Sequence, residues 1–461
     1  MDKWLPPAVD YVEQWIDYQM RQSEQPGCVV AIAAHGKLLL ERAFGQADLA
    51  AGTPLTARHR FRVASHSKSF TAAGFLKLRE RGKPHLDDPA GRYVRNLHPA
   101  VAQATIAQLL SHSAGIIRDG LDAGQWDERR SFLGARELRA ALRDAPVIAA
   151  NTRFKYSNHG YGLAGLVIEA VTGEDYAAWM KREIVAAAGL RETEPDAPVG
   201  RSARLASGHS GKLPAGRRLV IGGWNPTRGL AAATGFVSTA RDLLRFFTQL
   251  DPAARGSVLS VASRREMIRR QWRDPHAALE RYYGLGTISG GRDDWSWFGH
   301  SGGFPGFITR TAVLPERGLA ICVLTNAIDG PAGPWLDGII AILRGFAERG
   351  APARAVRDWN GRWWSRWWGA VDLVPMGDKV LVAAPDAGDP FQDATEIAVT
   401  GRDRARIAIA NGYAHHGEAV RRRRDKRGAV AEILLAGTRL LPEADIVAEL
   451  AARRRSTPPP G

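Results

Sequence analysis

Apolar side chains recur at Val9, Val12, Trp15, Ile16 and Met20. That spacing lines one face of a helix over residues 8–22. The period then changes. Two short apolar runs, 28–34 and 37–44, flank His35-Gly36 and predict an antiparallel hairpin. A second hairpin is predicted at 306–314 and 319–326, around Pro315-Glu316-Arg317-Gly318. Residues 335–348 (WLDGIIAILRGFAE) return to a helical period. Between these ends, residues 66–250 read as a mainly helical, loop-rich stretch. Strands at both ends of a helical insert predict an α+β fold over residues 1–350. Its antiparallel sheet would take strands from both termini and be flanked by helices, with a mainly helical lobe beside it.

Near residue 350 the pattern shortens. APARAVRDWN reads as a linker, and alternating runs follow at 370–383, 395–399, 404–410 and 429–436, divided by Gly, Asp and Pro. Short strands with frequent turn signals predict a small β-barrel over residues 351–455. Trp359, Trp363, Trp364, Trp367 and Trp368 crowd into WNGRWWSRWWG. They are expected to fill the barrel rather than to form a ligand-stacking platform. The stretch from Arg453 onward, and residues 456–461 in particular, is expected to be a disordered tail.

Composition narrows the function classes. The chain has 461 residues, 45% hydrophobic and 24% charged, which excludes a disordered protein. No run of about 20 apolar residues occurs, so no membrane-spanning helix is expected. The N-terminus lacks an apolar stretch with a small-residue cleavage site, and a cytoplasmic location is the expectation. The net charge is +15, with only ten Lys among 63 basic residues. Such a balance raises nucleic acid or an acidic partner. The one dense run is Arg421, Arg422, Arg423, Arg424, Asp425, Lys426 and Arg427, which reads as a solvated strand end or loop. No nucleic-acid or membrane partner is therefore expected. Cys28 and Cys322 sit in apolar, strand-like runs and read as buried free thiols. The twelve His show no ligand spacing beyond the adjacent His415-His416 pair, so neither metal nor cofactor is expected.

Three motifs carry chemistry. FRVASHSKSFTAAGFLKL contains Ser65-x-x-Lys68. At the opening of a helix this spacing sets hydroxyl and amine on one face, one turn apart. The helix N-terminus would favour an oxyanion there. NTRFKYSNHGYGLAG contains Tyr156-Ser157-Asn158 just before an apolar helical pattern. A neighbouring ammonium would make such a phenol a usable proton acceptor, and Asn158 could hydrogen-bond Lys68. WSWFGHSGGFPGFITRT contains His300-Ser301-Gly302-Gly303, a glycine-rich approach to an antiparallel strand. Glycines there let a substrate backbone approach the strand edge.

The order, spacing and context of the three motifs resemble the serine β-lactamase and penicillin-binding protein superfamily, in its class C-like branch of D-aminopeptidases, DD-peptidases and esterases. The resemblance spans roughly residues 8–348 and includes TIAQLLSHSAGI at 105–116 and GFVSTARDLLRF at 235–246. The C-terminal part is similar to the lipocalin-like barrel appended to some members. The resemblance implies a serine hydrolase that cleaves a small ester, amide or short peptide through an acyl-enzyme on Ser65. Lys68 and Tyr156 would share the activating proton, and Asn158 would orient Lys68. The backbone N–H groups of Ser65 and Gly303, with Gly302 beside them, would form the oxyanion hole. His300 stands where β-lactamases usually carry the Lys of Lys-Thr-Gly. A largely neutral His there removes the fixed charge that would meet a β-lactam carboxylate.

The same residues support rival readings. Gly299-His300-Ser301-Gly302-Gly303 also fits the G-x-S-x-G elbow of α/β-hydrolases, with Ser301 attacking and His415 or His416 completing a triad. His112 in LLSHSAG is either a catalytic base or a structural loop histidine. A β-lactamase, or a penicillin-binding sensor with slow turnover, is the other alternative. The barrel is expected either to cap the site or to mediate a homodimer. The Arg-rich composition makes an acidic substrate conceivable, though no motif puts an Arg in the cleft.

Overall fold

The structure, a computed structural model, describes residues 2–456 except 201–202, 214, 276, 278–279, 292 and 412–414, and the side chains of all of these but 293 and 454–456. Contacts divide the chain into residues 24–336, and residues 1–23 with 337–461. That division differs from a boundary at 350. It assigns the N-terminal helix, Leu5–Gln22, to the same unit as the C-terminal strands.

The first unit is built on a nine-stranded antiparallel sheet. Its strands are β1 (Gly27–Ala34), β2 (Lys37–Asp48), β3 (Thr53–Pro54), β4 (Trp272–Arg273), β5 (Arg281–Tyr283), β6 (Ile288–Gly290), β7 (Trp297–Phe304), β8 (Phe307–Leu314) and β9 (Leu319–Thr325). They lie in the order β3-β2-β1-β9-β8-β7-β6-β5-β4. Both predicted hairpins form. His35 and Gly36 take φ of 48° and 75°, the left-handed pair that a two-residue turn needs to match strand twist. β1 and β9 pair along their length from Cys28↔Thr325 to Ala34↔Leu319, joining the two ends of this unit. Every residue of β1 and of β9 is buried, so neither strand shows a polar face. The helix Ala240–Gln249 packs on β1, β8 and β9. Cys28 and Cys322 are buried free thiols. The insert holds the helices Ser67–Glu80 and Asn158–Thr172, which supply the candidate site.

In the second unit, eight antiparallel strands follow one another in chain order from Gly361–Ser365 to Thr438–Leu440. Backbone hydrogen bonds between Trp364 and Leu441, at 2.8 and 2.9 Å, join the first strand to the end of the last and nearly close the barrel. The helix Leu5–Gln22 meets the strand Gly369–Met376 through a polar pin. Tyr11 donates to the buried Asp372 at 3.1 Å, and Arg362 binds the same carboxylate at 2.7 Å. Trp359 fills the barrel core, whereas Trp367 is 84% exposed, so the expectation that all five tryptophans face inward fails at the hairpin tip. The Arg run ends a strand and enters a turn with most of its side chains exposed, and the expectation of a solvated end fails at Arg422. Residues 419–424 form a strand, and the Arg422 guanidinium is buried, 4.1 Å from the Trp359 ring and 2.9 Å from Asp358 Oδ2. Arg423 pairs with Glu432 and Arg424 with Asp403. Of the expected tail, Arg453 to Ser456 are the end of a helix, Glu443–Ser456, and residues 457–461 lie outside the described residues. Among the described residues no helix is long and apolar enough to cross a membrane.

Candidate active site

Ser65 lies in a single 3-10 turn, Ala64–His66, directly before the helix Ser67–Glu80. Ala64 adopts φ of 47°, and this left-handed residue turns the chain sharply just ahead of the serine. Ser65 stays half-exposed, whereas Lys68, in the first turn of the helix, has no exposed surface. The amine reaches Ser65 Oγ at 3.2 Å, Asn158 Oδ1 at 2.8 Å and the Ala233 carbonyl at 2.8 Å. Burial pushes the Lys68 amine well below its ordinary pKa, and the Asp119 carboxylate works against that shift.

The second motif arrives from the end of the helical lobe. Ser157 caps the helix Asn158–Thr172 by accepting from Gly160 N–H at 2.8 Å. That cap fixes the two residues on either side of it. Tyr156 OH lies 2.6 Å from Ser65 Oγ, and Asn158 faces Lys68. Asn158 Nδ2 donates to Asp119 Oδ1 at 2.7 Å, which turns its carbonyl oxygen toward the amine. Burial raises the Tyr156 pKa, so the group is a phenol at neutral pH. His112 packs on the Tyr156 ring at 4.1 Å and accepts the Ser157 backbone N–H at 3.1 Å. It makes no hydrogen bond to Ser65 among the described residues.

The third motif lies in mid-strand on β7. A Cβ on Gly302 would fall 2.2 Å from the Val63 carbonyl oxygen, so only glycine lets β7 lie against the segment that leads into Ser65. Gly303, next along, is exposed. His300 is 1% exposed, with Nε2 3.0 Å from Tyr283 OH and Nδ1 2.7 Å from the Ser301 carbonyl. Burial first, then His66, hold its pKa well below the ordinary value. The imidazole is thus neutral and bonded away from Ser65 and Tyr156. The elbow reading fails here. Ser301 is followed by three more residues of β7 and then by antiparallel β8, not by the helix an elbow requires. His415 and His416 belong to the other unit.

Ser65, Lys68, Tyr156 and Asn158 therefore converge, while His300 is bonded to Tyr283 and Ser301 and to none of the four among the described residues. Two groups had no sequence signal. Asp119 sits in a loop without a motif, and the Ala233 carbonyl is backbone. A cavity of about 160 Å³ opens beside Tyr156, walled by Phe154, Trp272, Tyr282, Tyr283 and Ile288, with Asp274 and Arg281 on its lining. Among the described residues no group of three or more His, Cys, Asp or Glu could hold a metal ion.

The Beta-lactamase family profile matches residues 12–337, more than two thirds of the chain. The chain belongs to the Beta-lactamase family. It is a serine hydrolase of that family. Esterase EstB of Burkholderia gladioli is 28% identical over 371 residues, covering 69% of this chain and 90% of its own length. Protein flp of Staphylococcus aureus is 27% identical over 179 residues, 37% of this chain and 36% of its own length. Among solved structures, the octameric penicillin-binding protein homologue of Pyrococcus abyssi superposes with a TM-score of 0.66 at 23% identity, covering 94% of this chain and 100% of that one. D-Amino acid amidase from Ochrobactrum anthropi SV3 gives 0.64 at 24% identity, over 73% and 99%. These two structures share the fold with this Beta-lactamase family member.

Proposed function

We propose that this protein hydrolyses small carboxylic esters, and amides of the D-amino acid type, through an acyl-enzyme on Ser65. One observation carries the reading. Ser65 Oγ is bracketed by a phenol at 2.6 Å and by a fully buried amine at 3.2 Å. A neutral Lys68 amine has two N–H groups, and two acceptors, Asn158 Oδ1 and the Ala233 carbonyl, stand at 2.8 Å. Its lone pair is then left for the Ser65 proton. In acylation the Ser65 oxygen bonds to the carbonyl carbon and its proton passes to Lys68. Tyr156 gives its proton to the departing alkoxide or amine and regains one from Lys68. Water then attacks the acyl group, its proton follows the same route in reverse, and the acid leaves. Ser65 and Gly303 N–H groups are the proposed oxyanion donors.

The similarity to esterase EstB supports an ester substrate, and the shared fold with D-amino acid amidase supports an amide. The aromatic cavity suits an apolar group on either. A buried, neutral His300 disfavours a β-lactam, because no fixed charge meets its carboxylate there. A p-nitrophenyl ester, a D-alanyl anilide and a chromogenic cephalosporin, compared by kcat/KM, test this. The ester is expected to exceed the cephalosporin by about 100-fold, the scale set by a missing charged contact. A cephalosporin turned over faster than both other substrates would overturn the reading.

A further inference from the structure

The Tyr156 ring has a cation over it twice. Lys68 Nζ lies 4.6 Å from the ring centre and the Arg118 guanidinium carbon 5.6 Å from it. The two differ in access. Lys68 is fully buried, while the Arg118 side chain is 64% exposed. Arg118 is nevertheless held firmly. Its carbonyl accepts the backbone N–H groups of Asn158 and His159 at 2.9 and 3.1 Å, at the start of the helix that carries the site. Its Nε lies 3.0 Å from Asp119 Oδ2, and the other oxygen of that carboxylate holds Asn158. The two Nη groups make no hydrogen bond or ion pair among the described residues. A planar donor edge, held at its Nε, largely exposed and set against the ring whose hydroxyl touches Ser65, is the geometry that receives a carboxylate with two parallel hydrogen bonds. His300, at the position where β-lactamases usually carry a charged Lys, is neutral and buried, as its residue type led one to expect.

We infer that Arg118 is a substrate-binding residue that selects esters or amides whose carboxylate lies on the Tyr156 side of the site, a few bonds from the scissile carbonyl, and not at β7. This rests on the acyl-enzyme reading and narrows its substrate class. At β7 the neutral His300 leaves a β-lactam carboxylate unmet. The aromatic cavity by Tyr156 would take the apolar portion of such a substrate, and Arg118 its charged end.

Two matched pairs of esters test it. The first is mono-p-nitrophenyl glutarate against p-nitrophenyl pentanoate, with the charge on the acyl side. The second is the butyryl ester of 4-hydroxybenzoate against that of 4-hydroxyacetophenone, with the charge on the leaving group. For at least one pair, the wild type should favour the anionic member in kcat/KM. Arg118→Gln should lower that preference by about tenfold, mostly through KM, with Arg118→Lys intermediate. An equal fall for both members of each pair would assign Arg118 to holding Asp119 and overturn the inference, as would an unchanged preference. If Ser65→Ala is inactive and the preference survives Arg118→Gln, only the Arg118 assignment falls. If Ser65→Ala keeps the turnover, or the wild type cleaves none of the four esters, the acyl-enzyme reading falls and this assignment falls with it.

Discussion

Lys68→Met is expected to lower kcat/KM by about 10⁴-fold, the scale of removing a proton acceptor from a unit that works together. Methionine has a similar length and suits a fully buried position, so circular dichroism should show a folded variant. The pH profile separates this reading from a merely structural one. Burial depresses the Lys68 pKa from 10.5, and only the deprotonated amine can accept the Ser65 proton. Wild-type kcat/KM should therefore rise with pH through an apparent pKa below 10.5, one that belongs to Lys68 and Tyr156 together. That rise should vanish in Lys68→Met. Stability carries the same sign. Between the folded pKa and the unfolded value of 10.5 the unfolded chain holds the extra proton, so the wild type gains stability as pH rises through that window. Lys68→Met should lack that increment. A variant that keeps a tenth of the activity or more, or that keeps the rising limb, would remove Lys68 as the base.

Tyr156→Phe is expected to cost about 10³-fold on an alkyl ester or an amide, the middle of the range for one proton-transfer group. The ring can keep its packing on His112 at 4.1 Å, so the loss would come from the hydroxyl alone. Burial keeps that hydroxyl protonated at neutral pH, which suits it to donate to a leaving group. The cost should then depend on the leaving group. p-Nitrophenoxide departs without a proton, so its ester should lose far less than an alkyl ester of the same acid. A set of leaving groups of rising pKa measures this as a steeper slope for Tyr156→Phe than for the wild type. Equal losses across the set would place Tyr156 outside leaving-group protonation.

Local spacing made much of this legible. Ser65 and Lys68 are one helical turn apart, and Tyr156 and Asn158 flank a capping Ser157, so sequence alone could set each pair side by side. The hairpin turns were legible for the same reason, since His35-Gly36 and Gly318 supply the positive φ their turns require. What stayed hidden is non-local. Asp119 reaches Lys68 through its charge and through Asn158, to which it is bonded across 39 residues of chain. The Ala233 carbonyl is backbone and carries no signature. Gly302 is legible as a glycine, but the Val63 oxygen that demands it is on another segment. In the barrel, Arg422 points inward because Asp358, Asp403 and the Trp359 ring wait there. An inward Arg breaks the apolar alternation that marks a strand, and the strand at 419–424 was obscured for that reason. The helix Glu443–Ser456 was hidden by its Arg-rich end, which resembles a solvated tail.

The whole site turns on Ser65 as the nucleophile. Intact-mass labelling with a fluorophosphonate, applied to the wild type, Ser65→Ala and Ser301→Ala, tests it most directly. A single adduct on the wild type and on Ser301→Ala, with none on Ser65→Ala, is the expected result. An adduct that survives Ser65→Ala, or one lost only in Ser301→Ala, would contradict it.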